Sequence, residues 1–452
     1  MVCINSDKKR ITYLRLGLLF LVALACMVAF VLVQPFGDGP DEIDRYKVVQ
    51  FIVNHGTLPV GNDPEVLLEN YGGSYAYQPI LTYMIQGYLI RALSFCGLSA
   101  ATELIIARFV CVLCGMVAAA YTYLIGREIF TNEKTVYLFT IAVVFLPQNL
   151  FIHTYVNTDS MGLMSVAMII YAILRGKRTD YDIASIVNMS VGIIFCALSY
   201  YNCYGIVLVA IAAFIWTRPS KFWKKAGTIA LIAFLGAGWW FIRNGILYNG
   251  DIFALNAREI CMTLTADAEH NPLTRATYLS QGIPVFEMIF KTDYYTLCWK
   301  SFIAMFGPMR IPTAHFIYEI YKYLCVLSIL GVFAVWVKSS SFASYTKRDR
   351  ILINCLLASS IIIPASLAVY YSYTWEFQPQ GRYYLPMLIP FMYVLSVGME
   401  KIITLAADIV AKINAKAGMI LSSLLYHTVY AYIGAAAVFS VFYMMLKYYG
   451  VY

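Results

Sequence analysis

Eleven apolar stretches recur along this chain, at about 11–33, 104–125, 135–152, 159–174, 183–199, 202–217, 225–246, 316–337, 351–373, 383–400 and 424–446. A helix crosses a hydrocarbon core with roughly 17–25 predominantly apolar residues, and most of these stretches reach that length. They are continuous rather than alternating, so the spanning form they predict is the helix and not the strand of a barrel. Composition points the same way: of 452 residues 61% are hydrophobic and 13% charged, and the mean hydropathy is +0.68. That balance excludes an ordinary soluble domain. The expected fold class is all-α: a polytopic helical membrane protein with about eleven transmembrane helices. The first stretch is long and lacks a small-residue cleavage site, so it reads as a retained anchor rather than a signal peptide.

The net charge of +8 implies no nucleic-acid partner, because its distribution follows topology. One set of inter-span segments holds Lys8, Lys9 and Arg10; Arg127 and Lys134; Arg175, Lys177 and Arg178; Arg218, Lys221, Lys224 and Lys225; Lys338, Lys347, Arg348 and Arg350; and Lys401, Lys412 and Lys416. The short loops of the other set are nearly free of Lys and Arg. By the positive-inside rule the first set is cytoplasmic, which puts the N-terminus inside and the tail Tyr448–Tyr452 outside. Counting Pro79 to Phe95 as a span would invert every later loop. It is therefore assigned as an interfacial or re-entrant helix on the outer face, its tyrosines Tyr71, Tyr75, Tyr77, Tyr83 and Tyr88 suiting the headgroup layer. The stretch 285–307 is treated likewise, because Lys291, Asp293 and Lys300 interrupt it. What results is a single membrane domain, 1–452, with long outer segments at about 34–103 and 247–315.

Metal and redox motifs are scarce. The 11 cysteines lie mostly within spans, and the Cys111–Cys114 CxxC sits in an apolar helix, where a buried thiol is usually inert. The five histidines show no zinc-binding spacing.

The unusual polar groups fall at the outer ends of spans. Asp38, Asp41, Glu42 and Asp44 follow the first span within about ten positions. Carboxylates at a membrane face are costly to desolvate, which marks them as candidates for function; a solvated loop with a helix cap is the plainer alternative. His153, Asn157 and Asp159 lie in the turn between the third and fourth spans, where Asn and Asp also suit a cap. Arg243 and Asn244 end the seventh span, where an arginine can simply snorkel. Arg310 follows Phe306-Gly307-Pro308. Glu376, Gln378, Gln380 and Arg382 share a short outer loop before Tyr383, where Arg382 also fits an interface anchor. Several arginines meeting acids at one depth suggest an anionic ligand and a base, because the guanidinium fork matches phosphate.

The ordered series Pro40-Asp41-Glu42, His55-Gly56-Thr57-Leu58-Pro59, Gln78-Pro79, Arg108, Asn157-Thr158-Asp159, Trp240-Phe241-Ile242-Arg243-Asn244, Tyr248-Asn249-Gly250-Asp251, Ser301-Phe302 to Phe306-Gly307 and Gln380-Gly381-Arg382-Tyr383 resembles the GT-C superfamily of integral-membrane glycosyltransferases. The nearest group is the bacterial predicted-membrane proteins related to the protein mannosyltransferase and aminoarabinose transferase families. Two positions depart from that pattern. Arg45 stands where related sequences often carry His, and Gln78-Pro79 replaces the Pro-Pro of the mannosyltransferases.

The resemblance implies a first outer loop with juxtamembrane helices, an acidic catalytic base in that loop, a sugar donor on polyprenyl phosphate and inversion at the anomeric carbon. On this expectation Asp41 is the base, and Glu42 orients the acceptor or shares a proton with it. Arg382 and Arg243, with Arg310, hold the departing phosphate. Gln380, Asn157, Asp159, Asn244, Arg45 and Tyr383 line the substrate pocket. The acceptor is a glycan, lipid or protein of the cell envelope, and membrane lipids are the other partners. No cofactor or metal is demanded, although a divalent cation held by the acids is compatible with them. The rival classes are a flippase or exporter of lipid-linked saccharides and a scaffold subunit. A carrier of that kind is disfavoured by the lack of paired discontinuous helices or an inverted repeat.

Overall fold

The computed structural model describes residues 6–334, 336–343 and 345–450; the side chains of Lys8, Lys9 and Arg10 and the last two residues of the tail lie outside the described set. The first half of the chain forms α1 (Ser6–Val33), α2 (Glu42–His55), α3 (Leu81–Leu93), α4 (Ala100–Ile129), α5 (Glu133–Val144), α6 (Pro147–Ile152), α7 (Asp159–Thr179), α8 (Ile183–Ala197) and α9 (Gly205–Thr217). There follow α10 (Phe222–Leu247), α11 (Leu255–Thr265), α12 (Val285–Phe290), α13 (Tyr294–Ile303), α14 (His315–Ala334), α15 (Lys347–Thr374), α16 (Leu388–Ala411) and α17 (Ala415–Lys447). A two-stranded hairpin pairs Met305–Phe306 with Ile311–Pro312.

Among the described residues each apolar stretch falls mainly on helix. Among the described residues seven helices, α1, α4, α7, α10, α14, α15 and α17, are long and apolar enough to cross a membrane, and α8 and α9 are shorter apolar helices. The protein is a multi-pass helical membrane protein. The stretch 135–152 is divided: Pro147 opens α6, and Leu146 before it is extended, φ −63° and ψ 121°, as a residue preceding proline prefers. The stretch 383–400 opens as a 3₁₀ turn, Gly381–Met387, before α16 begins. Leu81–Leu93 has 13 residues, a rise of about 20 Å, too short to span. It packs against α2 and α4, and 285–307 breaks into α12, α13 and the first strand.

α7 lies at the centre, packed against α4 and α8, with 83% of its apolar window buried, against 28% for α1 and 22% for α10. A helix buried by protein on all sides can carry polar groups that a lipid-facing one cannot, and Asp159 opens it.

The loops bearing the basic clusters meet at one end of the bundle. Lys177 pairs with Asp349, Arg178 with Glu128 and Lys225 with Asp180, and Thr12 near the start of α1 donates to Glu133. The loops after α1, α6 and α15 gather at the other end, where Tyr449 donates to Asp38.

Candidate functional site

Asp41 precedes α2 in a left-handed conformation, φ 59° and ψ 15°, and its side chain makes no capping bond. Asp and Asn are the side-chain-bearing residues most often found there. Freed from capping, the carboxylate turns to two arginines. Arg382 Nη2 donates to Asp41 Oδ2 at 2.8 Å, and Arg45 Nη2, one helical turn along α2, reaches the same oxygen at 3.4 Å. Asp41 keeps 34% of its side chain exposed, whereas both arginines keep 5%. Burial raises the Asp41 pKa, but Arg382 and Arg45 outweigh it, helped by the Tyr75 hydroxyl, and it is lowered to about 2.

Arg382 is delivered by close backbone contact. A methyl group on Gly381 would stand 2.0 Å from the backbone nitrogen of Phe302, so only glycine fits. Gly381 N donates to Ser301 Oγ at 2.6 Å, fixing the 3₁₀ turn to α13. The guanidinium lies against the Tyr383 ring, 5.1 Å from its centroid, and Nη2 also donates to the Tyr383 hydroxyl at 3.2 Å. Its Nε and Nη1 are buried with no protein partner. Buried N–H groups are rarely left unpaired, so this edge of Arg382 is equipped for an anionic or carbonyl acceptor that the protein does not supply.

Arg45 continues the chain of charges inward. Its Nη1 donates to Asp159 Oδ2 at 2.6 Å, with 5% and 3% of the two side chains exposed. The Arg45 guanidinium sits 5.0 Å from the Tyr75 ring centroid. Burial opposes its charge, but Tyr83, Asp159, Tyr75 and Asp41 hold its pKa well above the ordinary value. Asp159 Oδ1, Arg45 Nε and the hydroxyls of Tyr83 and Tyr155 have no protein partner. Tyr155 and Tyr200 feel the charges of Asp159, Arg382 and Arg45. The result is an alternating string, Arg382–Asp41–Arg45–Asp159, walled by tyrosines.

Other expected site residues lie elsewhere. Glu42 is fully buried: Arg108 Nε and Nη2 donate to it at 2.8 and 2.7 Å, and the backbone nitrogens of Gly37 and Val156 at 3.1 Å each. Every lone-pair direction is used within the fold, and none of these bonds involves the Asp41 side chain. Asn157 is also structural. Its Oδ1 accepts from Ser160 N and Oγ, and its amide donates to the carbonyls of Ile152 and Tyr155, so it caps α7. Asn244 donates to the Ile252 carbonyl at 3.3 Å, closing the loop after α10. Arg243 packs on Trp240 and donates to the Pro59 carbonyl at 2.7 Å, with Nη1 unpaired; none of its contacts reaches Asp41 or Arg382. Arg310 is exposed on the hairpin turn, and no side-chain bond ties it to the string among the described residues. Gln380, partly exposed, keeps a buried unpaired Oε1 one residue from Gly381.

The tyrosines assigned to the headgroup layer divide. Tyr71 and Tyr88 are exposed, 43% and 40%, while Tyr77 and Tyr83 are 3% and 1% exposed, and Tyr75 and Tyr83 belong to the charged string. Nothing local in the sequence separates the two groups, because tyrosine suits both a wet interface and a polar pocket wall. Among the described residues no group of three or more His, Cys, Asp or Glu is arranged to hold a metal ion.

The family described as Predicted membrane protein (DUF2142) matches residues 65–391, more than half of the chain, a segment that contains Asp159 and Arg382 and begins after Asp41. No curated protein matches the chain by sequence. Among solved structures, ArnT from Cupriavidus metallidurans bound to undecaprenyl phosphate is similar at 13% identity and TM-score 0.54, covering 96% of this chain and 76% of that one. The Archaeoglobus fulgidus oligosaccharyltransferase tethered to an acceptor peptide is similar at 12% identity and TM-score 0.56, covering 94% of this chain. The chain spans about half of that enzyme, 55% of its length. At such identities the likeness is one of fold: the protein has a GT-C-like membrane fold.

Proposed function

The chain belongs to the predicted membrane protein family DUF2142, and on its GT-C-like scaffold we propose that it is an inverting glycosyltransferase working at the outer face of the membrane. The donor is a sugar on a polyprenyl phosphate, and the acceptor is a hydroxyl-bearing glycan, lipid or protein of the cell envelope. The observation that carries this reading is the pairing of a reachable carboxylate, Asp41, with a buried guanidinium, Arg382, that has two nitrogens, Nε and Nη1, unspent. The undecaprenyl phosphate held by ArnT supports the choice of ligand class.

In the proposed reaction Asp41 takes the proton of the acceptor hydroxyl as its oxygen bonds to the sugar C1. The C1–O bond to phosphate breaks, and the electron pair leaves with the polyprenyl phosphate. Arg382 Nε and Nη1 donate to the oxygens of that phosphate and offset its growing charge. Donor binding also serves the base. A base works best with a pKa near the working pH, and Arg382 helps to hold Asp41 far below it. A phosphate on Arg382 offsets the charge that depresses Asp41 and raises its basicity once the donor has arrived. Asp159 Oδ1 and the Tyr155 hydroxyl are left to meet sugar hydroxyls. Arg243 and Arg310 have no part in this step.

The test is transfer of radiolabelled sugar from a polyprenyl-phosphate donor by the purified protein in detergent. Transfer that disappears with Arg382→Ala supports the enzyme. Donor movement across vesicles without transfer indicates a carrier instead.

A further inference from the structure

Asp41 and Asp159 approach one another from different parts of the chain, one before α2 and one at the start of α7. Two carboxylates converging in a mostly buried site form half of a divalent-cation site, since Mg²⁺ and Mn²⁺ favour carboxylate oxygens. Here the position between them is taken. Arg45 Nη1 lies 2.6 Å from Asp159 Oδ2 and Nη2 lies 3.4 Å from Asp41 Oδ2, so one guanidinium bridges the two acids. We propose that Arg45 is a built-in substitute for a divalent cation: it holds the base and Asp159 in register, and the site works without metal.

Three observations carry this. Arg45 is fixed by more than charge, because the Tyr75 ring covers its face and its own helix supplies it four residues after Asp41. Charge balance is the second. The two carboxylates and the guanidiniums of Arg45 and Arg382 sum to zero, so a divalent ion added among them would leave a buried excess of two positive charges, whereas a phosphodiester brings a single negative one. The donor set is the third. Both bridged oxygens already accept from arginine, and no third carboxylate, histidine or thiolate joins them among the described residues. Arg45 is thus a positioning residue that acts through Asp41 and Asp159.

The proposal rests on reading the cluster as a glycosyl-transfer site, but it is tested by binding as well as by turnover. The probe is Mn²⁺, titrated into the purified full-length protein in detergent and followed by the loss of its free electron-spin-resonance signal. The wild type is expected to match Asp159→Asn, with no saturable binding at the cluster. Arg45→Ala should gain a Mn²⁺ site, tighter than any in the wild type by about 10-fold or more, and Arg45→Ala/Asp159→Asn should lose it again. Arg45→Lys, which keeps a cation in place, should gain none. If Arg45→Ala does not fold, the wild type against Asp159→Asn and the chelator arm still decide. Saturable wild-type binding that vanishes in Asp159→Asn overturns the proposal, as does a folded Arg45→Ala without a new site. In the chelator arm, transfer should continue unchanged in excess EDTA; a loss restored by Mg²⁺ or Mn²⁺ overturns it. A protein that transfers no sugar and also binds no Mn²⁺ defeats the glycosyltransferase reading and leaves the role of Arg45 standing.

Discussion

At Asp41 the left-handed turn, φ 59°, sends two consecutive carboxylates to different places. Asp41 faces Arg382 with a third of its surface open, and Glu42 goes inward to Arg108. Of the two, Asp41 keeps an open carboxylate and Glu42 does not. It also fixes a pH dependence. The Asp41 pKa is lowered from 3.8 to about 2, so the stability its pairs contribute is complete above pH 3.8 and is lost as pH falls through about 2. In Arg382→Gln the burial that raises the pKa persists while the larger opposing charge is gone. The acid limb of kcat/KM should therefore move to higher pH, measured as rate against pH in the two proteins; an unmoved limb would separate Asp41 from the reaction. Arg382→Lys should restore donor use only partly relative to Arg382→Ala, because an ammonium is a point charge that cannot fork two phosphate oxygens; donor titration reads this as apparent KM and kcat.

At the scale of elements, the Glu42–Arg108 pair is the joint that binds α2 to α4 and to the carbonyls of Val31, Gln34 and Pro35 at the end of α1. Breaking a buried pair from one side leaves an uncompensated charge, at about 3–5 kcal/mol. Glu42→Gln should lower the thermal midpoint in detergent markedly while the surviving folded fraction keeps its turnover per molecule. Turnover lost without any loss of stability would return Glu42 to the chemistry. Gly381→Ala should push the 3₁₀ turn off α13 and weaken donor binding through Arg382, read by the same donor titration. The sequence made the apolar stretches and each separate charge at their ends legible, because both are local signals. It did not show that Asp41 meets Arg382, 341 residues away, nor that Arg243 turns instead to Pro59. Tyr75 and Tyr83 were misread for a similar reason. Their type suits a membrane surface, and only the packing of α3 against α2 and α4, for Tyr83, and of the 3₁₀ turn Tyr75–Tyr77 against α2, for Tyr75, turns them inward.

For the whole molecule, the arrangement divides the bundle into a basic end, where loops pair across helices through Lys177–Asp349 and Lys225–Asp180, and an opposite end that carries the charged string. If the basic end is cytoplasmic, as the positive-inside rule requires, a cysteine placed at Lys347 is shielded from an impermeant thiol reagent in intact cells. Labelling at that position would turn the molecule over and put the string on the wrong side for an outer-face reaction. The central claim, that Asp41 is the base of a glycosyl transfer whose leaving phosphate rests on Arg382, is tested most directly by Asp41→Asn. Asparagine tolerates the same left-handed backbone and keeps the shape and hydrogen bonding of the side chain, but it cannot take the proton. The measurement is single-turnover transfer at saturating donor, alongside donor binding to the same protein. Binding retained with turnover lower by about 10²-fold or more is the result expected; turnover close to that of the wild type would contradict the account.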